Sequence, residues 1–224
     1  MKTEIKPELE EKLRKVIPGF FDSEIARAKA RSLKDLISLE NKHFLETWNS
    51  SGIPLLYDLK YFLEKNNKSK VLLKRNIKNN ILIDLGCGAP PSRLPAMGIV
   101  RMLEPSIYIG IDKYFEGQIW EKSPKNRSFE HEFYLENLDK IDALKFTIGL
   151  PSNFANFMLN AVCDDYVIKN HRYLKELAHE VHRATLQKGI VFGGLNPKYF
   201  EDVGFKRVDA LLKDGYDLSI LRKG

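Results

Sequence analysis

The sequence predicts an α/β fold: a mostly parallel sheet with helices on its faces over residues 80–224, preceded by an N-terminal helical extension over residues 1–79. Two observations predict it. An apolar run, Ile81-Leu82-Ile83, leads into Asp84 and a glycine turn, Gly86-Cys87-Gly88. A second apolar run, Ile107 to Ile111, ends on Asp112 twenty-eight residues after Asp84, with room between them for a crossover helix over Arg93 to Glu104.

Each element has a local reason. A strand buried on both faces of a parallel sheet reads as a continuous β-branched apolar run, as Ile81 to Ile83 does. Gly86 and Gly88 let the backbone turn sharply and approach a ligand where a Cβ would collide. Pro90 and Pro91 follow, so the turn is stiff and lacks an amide donor at both positions. Ligand contacts there fall to the backbone of Gly86 to Ala89, and a proline is acceptable at the start of the next helix. At the tip of the second strand, the Asp112 carboxylate is placed to accept hydrogen bonds from both hydroxyls of a ribose, although the spacing is somewhat longer than the dinucleotide fold's. The bland reading of Asp112 is a turn residue that ends the strand.

With these residues in place, the chain resembles the class I methyltransferases that use S-adenosylmethionine, over roughly residues 80–224. Asp84-Leu-Gly-Cys-Gly88 is similar to their first motif, and Tyr108-Ile-Gly-Ile-Asp112 to their second strand. Asp142 and Ala143, ahead of Leu150-Pro151, resemble the loop after strand three that brackets the adenine, with Asn137 a competing candidate. Phe154 to Val162 looks like strand four, and Tyr173 to Arg183 followed by Gln187-Lys-Gly189-Ile-Val-Phe192 like the helix and turn into strand five. The resemblance implies a doubly wound, seven-stranded sheet with an antiparallel edge strand. The two alternating runs Gly204–Asp209 and Tyr216–Arg222, joined by Lys213-Asp214-Gly215 as a hairpin, would complete it. It also implies S-adenosylmethionine as cofactor, held by Asp84, Gly86, Cys87, Gly88, Asp112, Lys113, Asp142, Ala143 and Asn160. Ala155 stands where the family has an acid at the start of strand four, which bears on substrate chemistry more than on the cofactor.

Residues 1–79 read as helical. Ile25, Ala28, Leu33, Leu36, Ile37, Phe44, Leu45 and Trp48 recur at three- and four-residue intervals after the cap candidates Asp22 and Ser23, and Pro54 to Lys65 suggests another helix. The resemblance implies a lid over the cofactor cleft; packing against the side of the domain is the equal alternative. Charge is uneven. Residues 60–78 hold seven cations against Glu64 alone, which equals the whole chain's net +6. Lys68, Lys70, Lys74 and Arg75 are RNA-binding candidates, whereas the plainer reading of the run is a solvated helix end and linker.

A chain of 224 residues, 43% hydrophobic, buries a sizeable core. No apolar run reaches the ~20 residues that span a bilayer and the N-terminus lacks a signal's apolar core, so the expectation is a cytoplasmic protein. Two cysteines, Cys87 and Cys163, are too few for a disulfide framework. His179 and His182 lie three apart, not the four of a zinc-protease helix, and Leu195-Asn196-Pro197-Lys198-Tyr199 departs in place and residues from the Asn-Pro-Pro-Tyr motif of enzymes that methylate nucleobase amino groups, so neither is read as that motif.

Methyl transfer from a sulfonium is an in-line displacement with a good neutral leaving group, so it asks mainly for positioning. Substrate contacts are expected beyond the carboxyl ends of strands four and five. Asp164 and Asp165 are the candidate catalytic carboxylates, one of them also expected to cap the next helix. His171, Asn196 and Tyr199 are the substrate-binding candidates. The expected function is methyl transfer to a small-molecule acceptor. The alternatives are an RNA methyltransferase using the basic 60–78 segment and a non-catalytic binding or scaffold protein of the same fold.

Overall fold

The computed structural model describes residues 28–29, 31–33, 52–87, 98–112, 134–139, 142–163, 170–213 and 216–224. In chain order the elements are α1 (Gly52–Lys65), α2 (Asn67–Ile77), β1 (Ile81–Leu85), α3 (98–103), β2 (Ile107–Asp112), β3 (Tyr134–Asp139) and α4 (Ala143–Gly149). Then follow β4 (Asn156–Cys163), α5 (His171–Ala184), β5 (Ile190–Leu195), α6 (Pro197–Asp202), β6 (Phe205–Lys213) and β7 (Tyr216–Lys223).

The strands form one sheet in the order β3-β2-β1-β4-β5-β7-β6. β1 to β5 are parallel and β7 runs against both β5 and β6. The reversed strand is therefore not the edge: β7 inserts between β5 and β6, and β6 takes the rim. The hairpin geometry forces this once β7 has paired with β5, because its other side is the only place left for its own partner.

Alternation along the strands sorts the core into two layers. Ile83, Leu85, Ile109, Ile111, Phe157 and Leu159 face α4, α5 and α6, while Leu82, Tyr108, Met158, Phe192 and Ile220 face α1, α2 and α3. The fold is thus doubly wound, and each large side chain taken wholly out of water contributes about 1.5–3 kcal/mol. α5 shows why its sequence is helical: Tyr173, Leu174, Leu177, Ala178, Val181 and Ala184 make one buried stripe. Its cap is Asn170, whose side chain accepts from the Tyr173 amide at 3.1 Å, not Asp164 or Asp165, which lie outside the described residues.

One reading of the N-terminal half changes and another lies almost wholly outside the described residues. Residues 67–77 are a helix rather than a linker, because Ser69, Leu73 and Ile77 fall at four-residue spacing and are buried on the sheet. Asn66 caps it by accepting from the Ser69 amide at 3.1 Å. The long helix expected from Asp22 to Trp48 lies outside the described residues except near Leu33, which joins the α4–α6 layer. Beside it Lys29 bonds the buried carboxylate of Glu180 on α5. Burial opposes charge on Glu180, but hydrogen bonds from Lys29 and from Arg183, at 2.8 Å, outweigh it and hold the carboxyl below its ordinary value. Arg183 also donates to Leu150 O at 2.7 Å and Thr147 O at 2.9 Å, closing the last turn of α4.

One glycine is required by the sheet itself. Gly193 has φ 123°, and a Cβ there would lie 2.2 Å from Leu159 O on β4. Gly193→Ala is expected to destabilise the protein by about 2 kcal/mol or more, seen as a lowered midpoint in urea denaturation. A second test concerns pH. A depressed carboxyl contributes stability above its unfolded value, here about 4.5, and loses it as pH falls through the folded value. The stability gap between wild type and Glu180→Gln should therefore be largest above pH 4.5 and narrow below it.

Candidate active site

The carboxyl ends of β1, β2 and β4 meet at one place. β1 pairs with β2 from Ile81↔Ile107 to Leu85↔Ile111 and with β4 up to Leu85↔Leu159. One step further the chain passes Gly86, with φ 80°, a conformation that favours glycine. Its amide and that of Cys87 both donate to Ile111 O, at 2.8 and 3.1 Å, so the turn stays fastened to β2 one residue before Asp112. On the other side the register brings Asn160 to the place next to Gly86. Three of the sequence candidates, Gly86, Asp112 and Asn160, thus stand side by side at the sheet's edge. Cys87 is buried at the turn. Gly88 and Lys113 lie outside the described residues, and for Asp112 the backbone alone is described.

Asp84 faces the α1–α3 layer and is fully buried. Tyr108 Oη donates to its Oδ2 at 2.7 Å. A buried carboxylate requires such donors, and the apolar layer around it strengthens the bond. Tyr108 was legible only as a strand residue; its role comes from the pairing of Leu82 with Tyr108, which sets its hydroxyl beside Asp84.

Asn160 is 5% exposed, and its Oδ1 has no hydrogen-bond partner. The cost of an unsatisfied buried amide oxygen is about 1–3 kcal/mol, so a donor brought by a ligand would find it ready. β4 also loses register with β5 between Leu159 and Cys163, an irregularity at the strand end that bears Asn160.

Asp142 is 6% exposed and already engaged. Its Oδ1 accepts from the Lys145 amide at 3.0 Å as the cap of α4, and its Oδ2 accepts from Tyr173 Oη at 3.1 Å. Tyr173 Oη in turn meets the Leu144 amide at 3.3 Å, so α5 fixes the loop that carries Asp142 and Ala143. Asn137 lies inside β3, opposite Gly110, and not at the strand tip.

Among the substrate candidates, His171 and Tyr199 come together: His171 Nδ1 and Tyr199 Oη are hydrogen-bonded, with ring centroids 6.2 Å apart. His171 opens α5 and is exposed, whereas Tyr199 on α6 is 8% exposed. Asn196 has a different task. Its Oδ1 accepts from the Lys198 amide at 3.1 Å, capping α6, with Pro197 in the first turn. His182, by contrast, is half-buried edge-on to Phe205 at 5.1 Å, and burial, Lys223 and His179 keep its imidazole neutral more readily than usual.

No family model matches the sequence, and no curated protein matches it. Several solved structures do. One is the Burkholderia thailandensis 1,6-didemethyltoxoflavin-N1-methyltransferase with bound 1,6-didemethyltoxoflavin and S-adenosylhomocysteine: 12% identity, 90% of this chain and 91% of that chain covered, TM-score 0.47. A putative sarcosine dimethylglycine methyltransferase from Galdieria sulphuraria gives 10% identity, 75% and 86% coverage and a TM-score of 0.48. An S-adenosylmethionine-dependent methyltransferase from Aquifex aeolicus gives 16%, 75% and 95%, and 0.43. The fold itself rests on the strand order and the β1 turn of this chain.

Tyr108→Phe removes a hydrogen bond to a buried carboxylate and is expected to cost about 1–3 kcal/mol, measured by chemical denaturation. An unchanged stability would show that Asp84 does not depend on that hydroxyl.

Proposed function

We propose that the chain is an S-adenosylmethionine-dependent methyltransferase acting on a small-molecule acceptor. The observation that carries this reading is the carboxyl edge of the sheet, where Gly86 turns with a positive φ beside the buried Asn160, whose amide oxygen has no partner. A turn without a Cβ and an unsatisfied acceptor suit a ligand rich in hydroxyl and amino groups.

In this reading the Gly86–Gly88 turn accommodates the amino-acid portion of the cofactor, Asp112 accepts from the ribose hydroxyls, and Asp142 and Ala143 border the adenine. Asp84 acts from beneath, shaping the turn. Asp142 reaches the ligand only through lone pairs left over from Lys145 and Tyr173, so Ala143 and its backbone carry more of the adenine contact than the sequence implied. When bound, the cofactor supplies an electrophilic methyl group on a positively charged sulfur. The chain's own work is to hold an acceptor in line with it.

The bonded pair His171 and Tyr199 lies after β4 and β5, where an acceptor would be presented. An imidazole backed by a phenol is suited to take a proton from an acceptor that carries one. Asp164 or Asp165 remains the carboxylate proposed to bind the acceptor or serve as that base.

The compact acceptor is favoured by where the basic helix lies. Lys74 and Lys78 both bond Glu104, in the short link between α3 and β2, and Asn79 donates its amide to Glu104 O at 3.2 Å. That is the amino end of the sheet, about 17–20 Å, the length of a strand, from the edge where transfer would occur. The Lys74–Lys78 end of the basic segment therefore lies away from that edge.

Calorimetric titration of S-adenosylmethionine and S-adenosylhomocysteine tests the reading. Both should bind, and Asp112→Ala should weaken binding by about 1.5–3 kcal/mol, roughly ten- to a hundredfold. Absence of binding to the folded wild type would leave a scaffold of the same fold. Once an acceptor is found, His171→Ala should lower kcat and shift its pH profile, while cofactor affinity stays unchanged.

A further inference from the structure

The exposed face of α2 has no part in the site above, yet it is built with one chemistry. Val71, Lys74, Arg75 and Lys78 fall at i, i+3, i+4 and i+7, so they make a single stripe along the side opposite the buried Ser69, Leu73 and Ile77. With Asn79 they border an open surface groove of about 480 Å³. No acidic residue lies within α2. Glu104 offsets one charge: Lys74 and Lys78 share it, and their hydrogen bonds hold its carboxyl below the ordinary value. Arg75 has no acidic partner among the described residues, so three cations face one anion and the groove keeps a net positive charge.

We propose that this groove is a docking surface for single-stranded RNA, separate from the acceptor site and independent of which acceptor is methylated. The fit is to a phosphodiester backbone. Cations three and four residues apart on a helix stand about 5–6 Å apart at their Cβ atoms, forming a track about one strand wide. Val71, 55% exposed, gives the track an apolar floor for a sugar or base face. Asn79, held in a left-handed turn at φ 64°, ends the groove with an exposed amide that both donates and accepts, the complement of a 2′-hydroxyl. An anionic membrane would call for bulky apolar residues projecting from the stripe, and it carries only a valine. Because the groove opens at the amino end of the sheet, RNA held here is a tether, and its loss should leave the cofactor site intact.

The test uses the full chain and a short mixed-sequence single-stranded RNA, with the DNA of the same sequence and phosphatidylserine vesicles as parallel probes. Binding is measured by fluorescence anisotropy across a salt series. The triple variant Lys74→Gln, Arg75→Gln, Lys78→Gln should weaken RNA binding about tenfold or more and reduce the salt slope by about 2, from about 0.7 per phosphate contact. Since that variant leaves Glu104 unpaired, a second, Arg75→Gln alone, keeps both Glu104 bonds and should weaken RNA in the same direction, to a smaller extent. Asn79→Ala should narrow the preference for RNA over DNA. S-adenosylmethionine affinity should be unchanged in every variant, so failure of docking and failure of the cofactor reading are told apart. No RNA binding by the wild type, equal binding by the variants, or stripe-dependent binding to vesicles alone overturns the proposal.

Discussion

The site depends on one constraint: the chain must leave β1 in a left-handed turn while remaining hydrogen-bonded to β2. The amides of Gly86 and Cys87 satisfy it by sharing Ile111 O. Since that carbonyl belongs to the residue before Asp112, the glycine turn and the second acid cannot move independently. Asn160 is added from the other side by the register of β4 against β1. A parallel ladder whose central strands β1, β2 and β4 are buried on both faces has little freedom to slip, because a shift of one residue would exchange its two apolar layers. The edge is therefore placed by the core.

How much of this was legible from sequence varies with the reason each residue is there. The β1 run, the turn and β2 were legible because a buried strand ending in an acid or a glycine is a local pattern. The helix Asn67–Ile77 was not, since its surface is so basic that the charge run conceals Ser69, Leu73 and Ile77. Amphipathic periodicity with a polar residue in the buried stripe is easily missed, and the buried Ser69 donates its hydroxyl to Asp209 of β6. The order of β6 and β7 was not legible for a different reason. Two alternating runs joined by a short turn predict a hairpin, but nothing local says which strand meets β5.

Site residues divide the same way. Gly86 is where the pattern put it. Asp142 and Asn196 were chosen as polar residues in loops after strands, and both cap helices. The residue types that reach ligands are also those that start helices, so a loop carboxamide or carboxylate is ambiguous until the hydrogen-bond acceptors are known. The pairing of His171 with Tyr199 spans 28 positions and depends on how α5 and α6 pack, which no spacing rule encodes. Tyr108 and Tyr173 gave no signal beyond an apolar strand and an amphipathic helix, yet their hydroxyls hold Asp84 and Asp142.

Those two tyrosines impose a common logic on the two faces of the sheet. Each sends a hydroxyl from a buried, apolar position to a carboxylate at or near the functional edge, one from the α1–α3 layer and the other from the α4–α6 layer. Tyr173 belongs to α5, and α5 is also where Arg183 closes α4 and Glu180 receives Lys29. One helix therefore fixes the loop after β3, the last turn of α4 and the N-terminal residues near Leu33. A change in how the N-terminal segment seats on Glu180 would act on α5 first. Through Tyr173 it would reach Asp142, the border of the proposed adenine site, without touching β1 or its turn.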